Sequence, residues 1–198
     1  MKVKDVIKNA AIYLADRKML DLLSGKLCGD ANEEVLTNSE LKEVLYYVAS
    51  FNLATRTIAS IDLPVFNIEK VKSDSEAKID YSNFGEEVYE VCEVVDKSLD
   101  SFVQFFALPF SLCVPCKNRE YLVKYSYLPE KVGSVQDTII LPKEYAENLI
   151  ALLMASDIFL SRSSYEEHAY FKNEYKKLLG LICSKKSKRK IMPAARLI

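Results

Sequence analysis

The sequence contains a single histidine, His168, in 198 residues. It also lacks tryptophan and has five glycines, and these two numbers carry little weight. A single histidine argues against most hydrolases that use a Ser-His or Cys-His pair. Neither GxGxxG nor GxxxxGK[ST] occurs, so the common glycine-rich phosphate loops are excluded. We therefore expect no catalytic residue, no cofactor and no small-molecule substrate.

Signals for secretion or membrane insertion are also lacking. The N-terminal residues carry no apolar stretch of the kind found in a signal peptide. The longest apolar run, residues 149–160, is interrupted by Ser156 and Asp157 and is too short to span a bilayer. The five cysteines are an odd number without framework-like spacing, which indicates a reducing compartment. These features predict a cytoplasmically made protein that does not enter a membrane.

Two helices are predicted in the first 62 residues. Over residues 3–23 the apolar positions recur at helical spacing, and glycines follow the pattern. A second helix, over residues 38–62, begins at a capping box formed by Thr37 and Glu40. We place Leu45 in its buried stripe. The short polar connection predicts that the two helices form a hairpin.

The middle of the chain, residues 65–141, has the two-residue period of β-strands. Residues 119–127 place Tyr121, Val123 and Tyr125 on one face, with Leu122 as an apolar exception on the polar face. Other β-branched and aromatic runs are separated by turn-forming residues. They bring the count to about six short strands, at residues 65–71, 78–81, 88–95, 102–106, 110–114 and 119–127.

Helical periodicity returns in the last third. Residues 143–161 are apolar on nearly all sides, as in a buried helix, and we place Leu152 in the core. Residues 164–182 carry a narrow apolar stripe that includes His168, which we interpret as a packed or interface histidine.

The sequence therefore predicts an α+β fold. It comprises an N-terminal helical pair, a small antiparallel β-domain of about six strands, a C-terminal antiparallel helical hairpin and a basic C-terminal arm. We expect residues 1–183 to form a single domain and residues 184–198 to form the arm.

Positive charge is concentrated in that arm, which holds six of the 27 basic residues and no acidic one. Residues 1–183 are left with 21 basic and 28 acidic side chains, a net charge of −7. This asymmetry predicts a contact with an acidic neighbour or with DNA, and a solvated arm without function is the alternative. No aromatic residue interleaves the lysines, so a DNA contact would be non-specific. The candidate contact residues are Lys185, Lys186, Lys188, Arg189, Lys190 and Arg196.

One motif, Cys113-Val-Pro-Cys116, resembles the CxPC of thioredoxin-type oxidoreductases, in which a helix N-terminus lowers a thiol pKa. Here a strand-like segment follows instead of a helix. We interpret the cysteines as incidental to a hairpin turn, and a thiol oxidoreductase is the third functional hypothesis. A zinc site would need two more ligands, and His168 lies on a distant helix, so we expect no metal.

Four stretches together resemble the head–tail connector proteins of tailed bacteriophages, also called neck, portal-adaptor or head-completion proteins. The N-terminal helical pair is the first. Residues 77–84 (AKIDYSNF) resemble that family's entry into its β-domain, and residues 121–130 (YLVKYSYLPE) resemble its Y-x-V-x-Y-x-Y-x-P strand and turn. The C-terminal helices, with SYEEHA at 164–169 and NEYK at 173–176, lead to MPAAR at 192–196, similar to the family's closing proline-and-arginine run.

The resemblance covers nearly the whole chain and implies a non-enzymatic virion protein. It implies a closed homo-oligomeric ring, usually a dodecamer, between the portal protein and the next tail or neck component. In such a ring the helices line or buttress the channel for packaged DNA, and the arm reaches toward the portal or an adjacent subunit. A cyclic ring uses heterologous contacts, for which an acidic body and a basic arm supply complementary faces. The alternative is a nucleic-acid-binding accessory protein that holds DNA through the basic arm.

Overall fold

The structure is a computed structural model that describes residues 1–27 and 36–190. The chain divides into a helical unit, Met1–Ala54 with Val132–Ile198, and a strand unit, Thr55–Lys131. Helices precede and follow an antiparallel β-region, so the predicted α+β class is confirmed. The prediction of a single domain over residues 1–183 stays a prediction. None of the described helices has both the length and the apolar character that crossing a bilayer requires.

Two helices occupy the segment that the sequence predicted as one. Helix α1 (Val3–Tyr13) buries an apolar face, and α2 (Arg17–Ser24) follows it after a break. Ala15 lies in the break with a φ of 51°. The Asp16 side chain then starts α2 by accepting a hydrogen bond from Met19 N–H at 3.1 Å. Apolar spacing continues across the break, which is why periodicity alone did not reveal it.

Helix α3 (Asn38–Thr57) continues into a π-helical turn (Ile58–Asp62). Together these two elements match the second predicted helix. Its capping box is confirmed. Thr37 N–H and hydroxyl donate to Glu40 Oε2 at 2.7 and 2.8 Å, and Glu40 N–H donates to Thr37 Oγ1 at 3.3 Å. The backbone hydrogen bond from Thr37, then its hydroxyl and Lys26, lower the pKa of Glu40 to about 2.

The buried stripe of α3 differs from the predicted one. Tyr47, Val48 and Phe51 are buried, whereas Leu45 is 49% exposed. Placing Leu45 in the core was therefore wrong. Because successive helical residues are 100° apart, a stripe centred on Val44, Tyr47, Val48 and Phe51 leaves Leu45 at its side.

The C-terminal hairpin is confirmed with changed boundaries. Helix α4 (Glu147–Ser161) begins four residues later than predicted, and α5 (Tyr165–Lys190) ends eight residues later. The Phe159 and Phe171 rings stack across the hairpin with centroids 5.4 Å apart. Leu152 is half-buried on α4, while its neighbour Leu153 is in the core. Helix α5 runs on through much of the predicted arm because lysine and arginine are good helix formers.

The strand unit contains two antiparallel sheets. The larger has the order β1-β7-β3-β4 and the smaller the order β2-β6-β5. The predicted strand at residues 102–106 is divided into β4 and β5, one at an edge of each sheet, so the described chain has seven strands. They are β1 (Val65–Lys72), β2 (Lys78–Asp80), β3 (Glu87–Asp96), β4 (Ser101–Phe102), β5 (Phe106–Ala107), β6 (Ser111–Cys113) and β7 (Glu120–Leu128).

One hydrophobic core serves both sheets of the strand unit. Tyr121, Val123 and Tyr125 of β7 are buried in it, as the alternation predicted. Ile79 of β2 and Leu112 of β6 meet them from the smaller sheet. The predicted β-region extended to residue 141, but the strands end with β7 and the strand unit ends at residue 131.

Candidate functional site

The basic contact residues predicted from the sequence lie at the end of α5. Helix α5 has 26 residues and α4 has 15, so α5 is about 16 Å longer at 1.5 Å per residue. A three-residue turn joins the two helices into an antiparallel hairpin, so the last residues of α5 extend beyond the first residues of α4. The arm predicted over residues 184–198 is helical as far as residue 190. Its described members are Lys185, Lys186, Lys188, Arg189 and Lys190; Arg196 lies outside the described residues.

The cysteine motif lies between the two sheets and not in a hairpin turn. Cys113 ends β6 in the smaller sheet, and the next strand, β7, belongs to the larger one. Cys116 N–H donates to Tyr121 Oη at 3.1 Å, and this hydroxyl donates to the Cys116 carbonyl, also at 3.1 Å. No helix follows the motif, so the element that lowers a thiol pKa in oxidoreductases is missing here. Both thiols are free and half-buried.

His168 binds a residue of the neighbouring helix. Its Nδ1 lies 3.0 Å from Ser156 Oγ and 2.9 Å from the Ser156 carbonyl oxygen. Ser156 is fully buried in α4, whereas a serine nucleophile needs access to its substrate. The contact therefore ties α5 to α4, in agreement with a packed histidine.

An exposed face of the larger sheet is a candidate interaction surface. Lys70, Leu122, Val95 and Phe102 lie side by side across its four strands, and opposed residues share a face. On β1, Phe66 and Ile68 are exposed on this same face, since its buried residues alternate with them. Apolar side chains thus extend across the outer face from one edge strand to the other.

Ion pairs are interspersed with these apolar residues. Lys124 Nζ lies 2.6 Å from Glu93 Oε1 and 5.8 Å from the centre of the Phe66 ring. Lys70 Nζ lies 2.6 Å from Glu120 Oε1. A hydrogen bond to the partner carboxylate raises the pKa of each lysine. Protein interfaces place apolar and aromatic residues at the centre and polar residues at the rim, so the exposed phenylalanine, isoleucine and leucine side chains of this face are the part suited to binding another protein.

Several large apolar side chains are exposed within residues 99–110, which we call the apolar segment. Phe102, Phe106 and Phe110 are 74%, 74% and 82% exposed, and Leu99 and Leu108 are also exposed. At about 200 Å² per phenylalanine residue, these three residues together expose about 450 Å². Exposed apolar area of a few hundred Å² often marks an interaction site, so this segment is a candidate for burial in an assembly.

Asp96 holds the turn that leads into this segment. Its carboxylate is almost fully buried and accepts hydrogen bonds from Ser98 N–H at 2.8 Å, the Ser98 hydroxyl at 2.5 Å and Arg119 Nη1 at 3.0 Å. The hydrogen bond from the Ser98 hydroxyl, then those from Ser98 N–H and Arg119, lower the pKa of Asp96. The apolar segment therefore begins at a fixed turn between β3 and β4.

A shallow cleft elsewhere in the strand unit is lined by Arg56, Glu86, Glu87, Glu130 and Lys131 with two further residues. The Arg56 guanidinium already donates to Glu87 Oε1 at 2.7 Å and to the Pro129 carbonyl at 3.2 Å. This arginine therefore links parts of the strand unit. Within residues 1–27 and 36–190, no three or more His, Cys, Asp or Glu side chains form a group that could hold a metal ion.

Sequence reasoning missed the apolar segment because it assigned these aromatic residues to strands of the core. One signal was present: Asp100 and Pro109, which disfavour regular strands, lie on either side of Phe102 and Phe106, and Pro109 directly precedes Phe110. Comparison with known proteins adds no relative, since no protein-family model and no curated protein matches the chain.

Proposed function

We propose that this protein is a non-enzymatic structural component of the virion of a tailed bacteriophage. Copies would form a ring, with twelve as the expected number, that joins the portal protein to the next tail or neck component and surrounds the packaged DNA. The observation that carries the proposal is the apolar segment, in which three of the four phenylalanines, Phe102, Phe106 and Phe110, are more than 70% exposed in the single chain. Apolar area of this size is costly to leave in water, and an assembly would bury it.

The end of α5 supports a contact with a negatively charged partner. Five of its last six residues are basic, and residues 1–183 carry a net charge of −7. In a ring, the basic helix end of one copy could meet the acidic body of a neighbour or of the portal. The acidic body would also repel DNA from the channel wall and let it pass.

A nucleic-acid-binding accessory protein is the second candidate, favoured by the same basic helix end. The two functions differ in what they predict for the isolated protein. A DNA-binding protein should bind DNA alone, with an affinity that falls steeply as the salt concentration rises, because the release of counterions from DNA is less favourable at high salt. A connector should bind its portal and show no comparable DNA affinity.

The direct test is electron microscopy of the protein mixed with its cognate portal protein. The expected result is a ring of copies seated on the portal. Particles that never carry this protein, with DNA binding by the free chain, would favour the second candidate.

Two truncations test the role of the helix end in a portal pull-down at low and high salt. A chain ending at residue 183 lacks the whole basic segment, and a chain ending at residue 190 is the matched control that keeps five basic residues. We expect the first to lose portal binding and the second to retain a salt-sensitive part of it, since exposed charges are screened over about 8 Å at physiological ionic strength. Equal binding by full-length and both truncated forms would show that the basic segment is not needed.

A further inference from the structure

The first edge of the larger sheet is β1, which in the described chain pairs only with β7. Ser73, the residue after β1, donates its N–H to the carbonyl of Arg119, the residue before β7, at 2.9 Å. In an antiparallel ladder every second residue bonds inward, so the odd-numbered residues of β1 bond to β7. The backbone groups of Phe66, Ile68 and Lys70 therefore point toward the free edge. Ile68 N–H bonds there to the Asn67 side chain at 2.9 Å.

The opposite edge of the sheet is β4. Val103 N–H donates to the Val94 carbonyl at 3.0 Å, so these two residues form a hydrogen-bonded pair. The adjacent pair, Val95 and Phe102, is then a non-hydrogen-bonded pair. As a result, the backbone N–H and carbonyl of Phe102 point away from β3, toward the second free edge.

Strand directions make these two edges compatible. All pairings in the sheet are antiparallel, and the sheet has four strands. Therefore β1 and β4 run in opposite directions. A copy placed beside the first with its strands in the same sense brings its β1 antiparallel to the first copy's β4. Repeating that step keeps every junction antiparallel, which is a heterologous contact suited to a ring.

Side chains favour one register for this junction. Setting Phe102 of one copy opposite Ile68 of the next pairs two residues whose backbone groups both face the edge. Both side chains are exposed on the same outer face, so the pleats match. In the antiparallel sense, Asp100 then falls opposite Lys70, which already lies 2.6 Å from Glu120 of its own chain. The junction joins apolar to apolar and acidic to basic side chains.

We propose that copies of this chain join edge to edge, with β4 of one copy extending the sheet at β1 of the next and Phe102 opposite Ile68. This deepens the proposed function and rests on it where it concerns ring closure. At this junction Phe102 contributes about 150 Å² of the roughly 800 Å² that each partner buries in a stable interface, and the exposed Phe66 and Ile68 of the facing β1 add apolar area from the other copy. The Ile68–Asn67 hydrogen bond is exchanged for one to the neighbouring copy.

Disulfide trapping with two single variants tests this register. Residues in a hydrogen-bonded antiparallel pair have Cα atoms about 5.5 Å apart, a distance that a disulfide bridges. Ile68→Cys and Phe102→Cys are purified separately at high concentration, then oxidised alone and as a mixture. Mass spectrometry identifies the cross-linked peptides, which separates the engineered link from links between native cysteines. We expect a 68–102 link in the mixture and no 68–68 link in the first variant alone.

The matched control is Ile61→Cys mixed with Phe102→Cys, because Ile61 is an exposed isoleucine of the strand unit outside β1. It should give no link to residue 102. A 68–68 link would establish a two-fold β1–β1 contact and overturn the proposal. Absence of the 68–102 link would overturn it as well, whether the protein self-associates or stays monomeric.

A second variant, Phe102→Lys, measures the contribution of the ring in sedimentation experiments. Phe102 is 74% exposed in the single chain, so the circular dichroism spectrum of the variant should match that of the wild type. The dissociation constant for self-association should rise at least tenfold. Unchanged self-association would contradict the proposal. Portal binding is read separately: rings on the portal without the 68–102 link would overturn this inference alone, and the link without portal binding would overturn only the proposed function.

Discussion

Two neighbouring tyrosines of α3 allow a paired test of the helical unit. The Tyr47 side chain is fully buried, and its hydroxyl donates to Asp16 Oδ2 at 2.9 Å. Tyr46 is 40% exposed, and its hydroxyl lies 2.7 Å from Ser161 Oγ. Removing one hydroxyl from each therefore compares a buried hydrogen bond to a charged acceptor with an exposed bond between neutral groups.

The expected cost of Tyr47→Phe is about 1.5–3 kcal/mol, the range for a hydrogen bond to a charged group. Asp16 also caps α2 through Met19 N–H, and Arg162 Nη2 lies 3.7 Å away, so the loss affects the junction of three helices. Tyr46→Phe should change the free energy of unfolding by about 0.5 kcal/mol or less.

Urea unfolding followed by circular dichroism measures both values. Burial, and then the hydrogen bond to Asp16, raise the pKa of Tyr47 above its ordinary value near 10. Above about pH 10 the unfolded chain loses this proton while the folded chain keeps it, so the wild type loses stability as pH rises. The gap between wild type and Tyr47→Phe should therefore narrow in alkali. Equal costs for the two variants at neutral pH would refute the assignment of Tyr47 to a buried network.

Three further predictions concern single features. Leu45→Asp should remain folded and lower the free energy of unfolding by less than about 1 kcal/mol, whereas Val48→Asp should lower it by several kcal/mol because it buries an unpaired carboxylate. Similar melting temperatures for the two variants would contradict the buried stripe of α3. The pKa of Asp96 is lowered in the folded chain, so its contribution to stability is present above its unfolded pKa of about 4 and is lost as pH falls below that value. The stability of Asp96→Asn should therefore depend less on pH in the acid range than that of the wild type. Superimposable plots of stability against pH for the two proteins would show that this carboxylate does not contribute. Replacing Cys113 and Cys116 by serine should leave folding near normal, and stoichiometric zinc in the purified wild type would be evidence against that expectation.

Local chemistry was enough to predict many elements of this fold. The Thr37–Glu40 capping box and the alternation around Tyr121 and Tyr125 are contained in short stretches of sequence, and the structure has both. Strand β7 is buried on one face because alternate side chains point to opposite faces whatever the sheet order. The helical hairpin followed from periodicity in the same way.

Tertiary structure decided which apolar residues are covered. Leu45 and Phe102 look like core residues in a sequence pattern, yet both are exposed. Sequence spacing gives the faces of an element but not the partner that covers each face. The placement of β4 and β5 at the edges of two different sheets likewise depends on pairing between strands. Phe102 of β4 pairs with Val95 of β3, and Ala107 of β5 pairs with Leu112 of β6.

The candidate site shows the same division. Composition alone located the basic residues, because charge is visible in any stretch of sequence, but it could not tell that α5 continues through residue 190. The apolar segment and the two free sheet edges have no local signature. They exist because seven strands pair in one particular order and leave β1 and β4 without an outer neighbour among the described residues. Strand order depends on contacts between distant residues, and it is the step that a periodic pattern cannot specify.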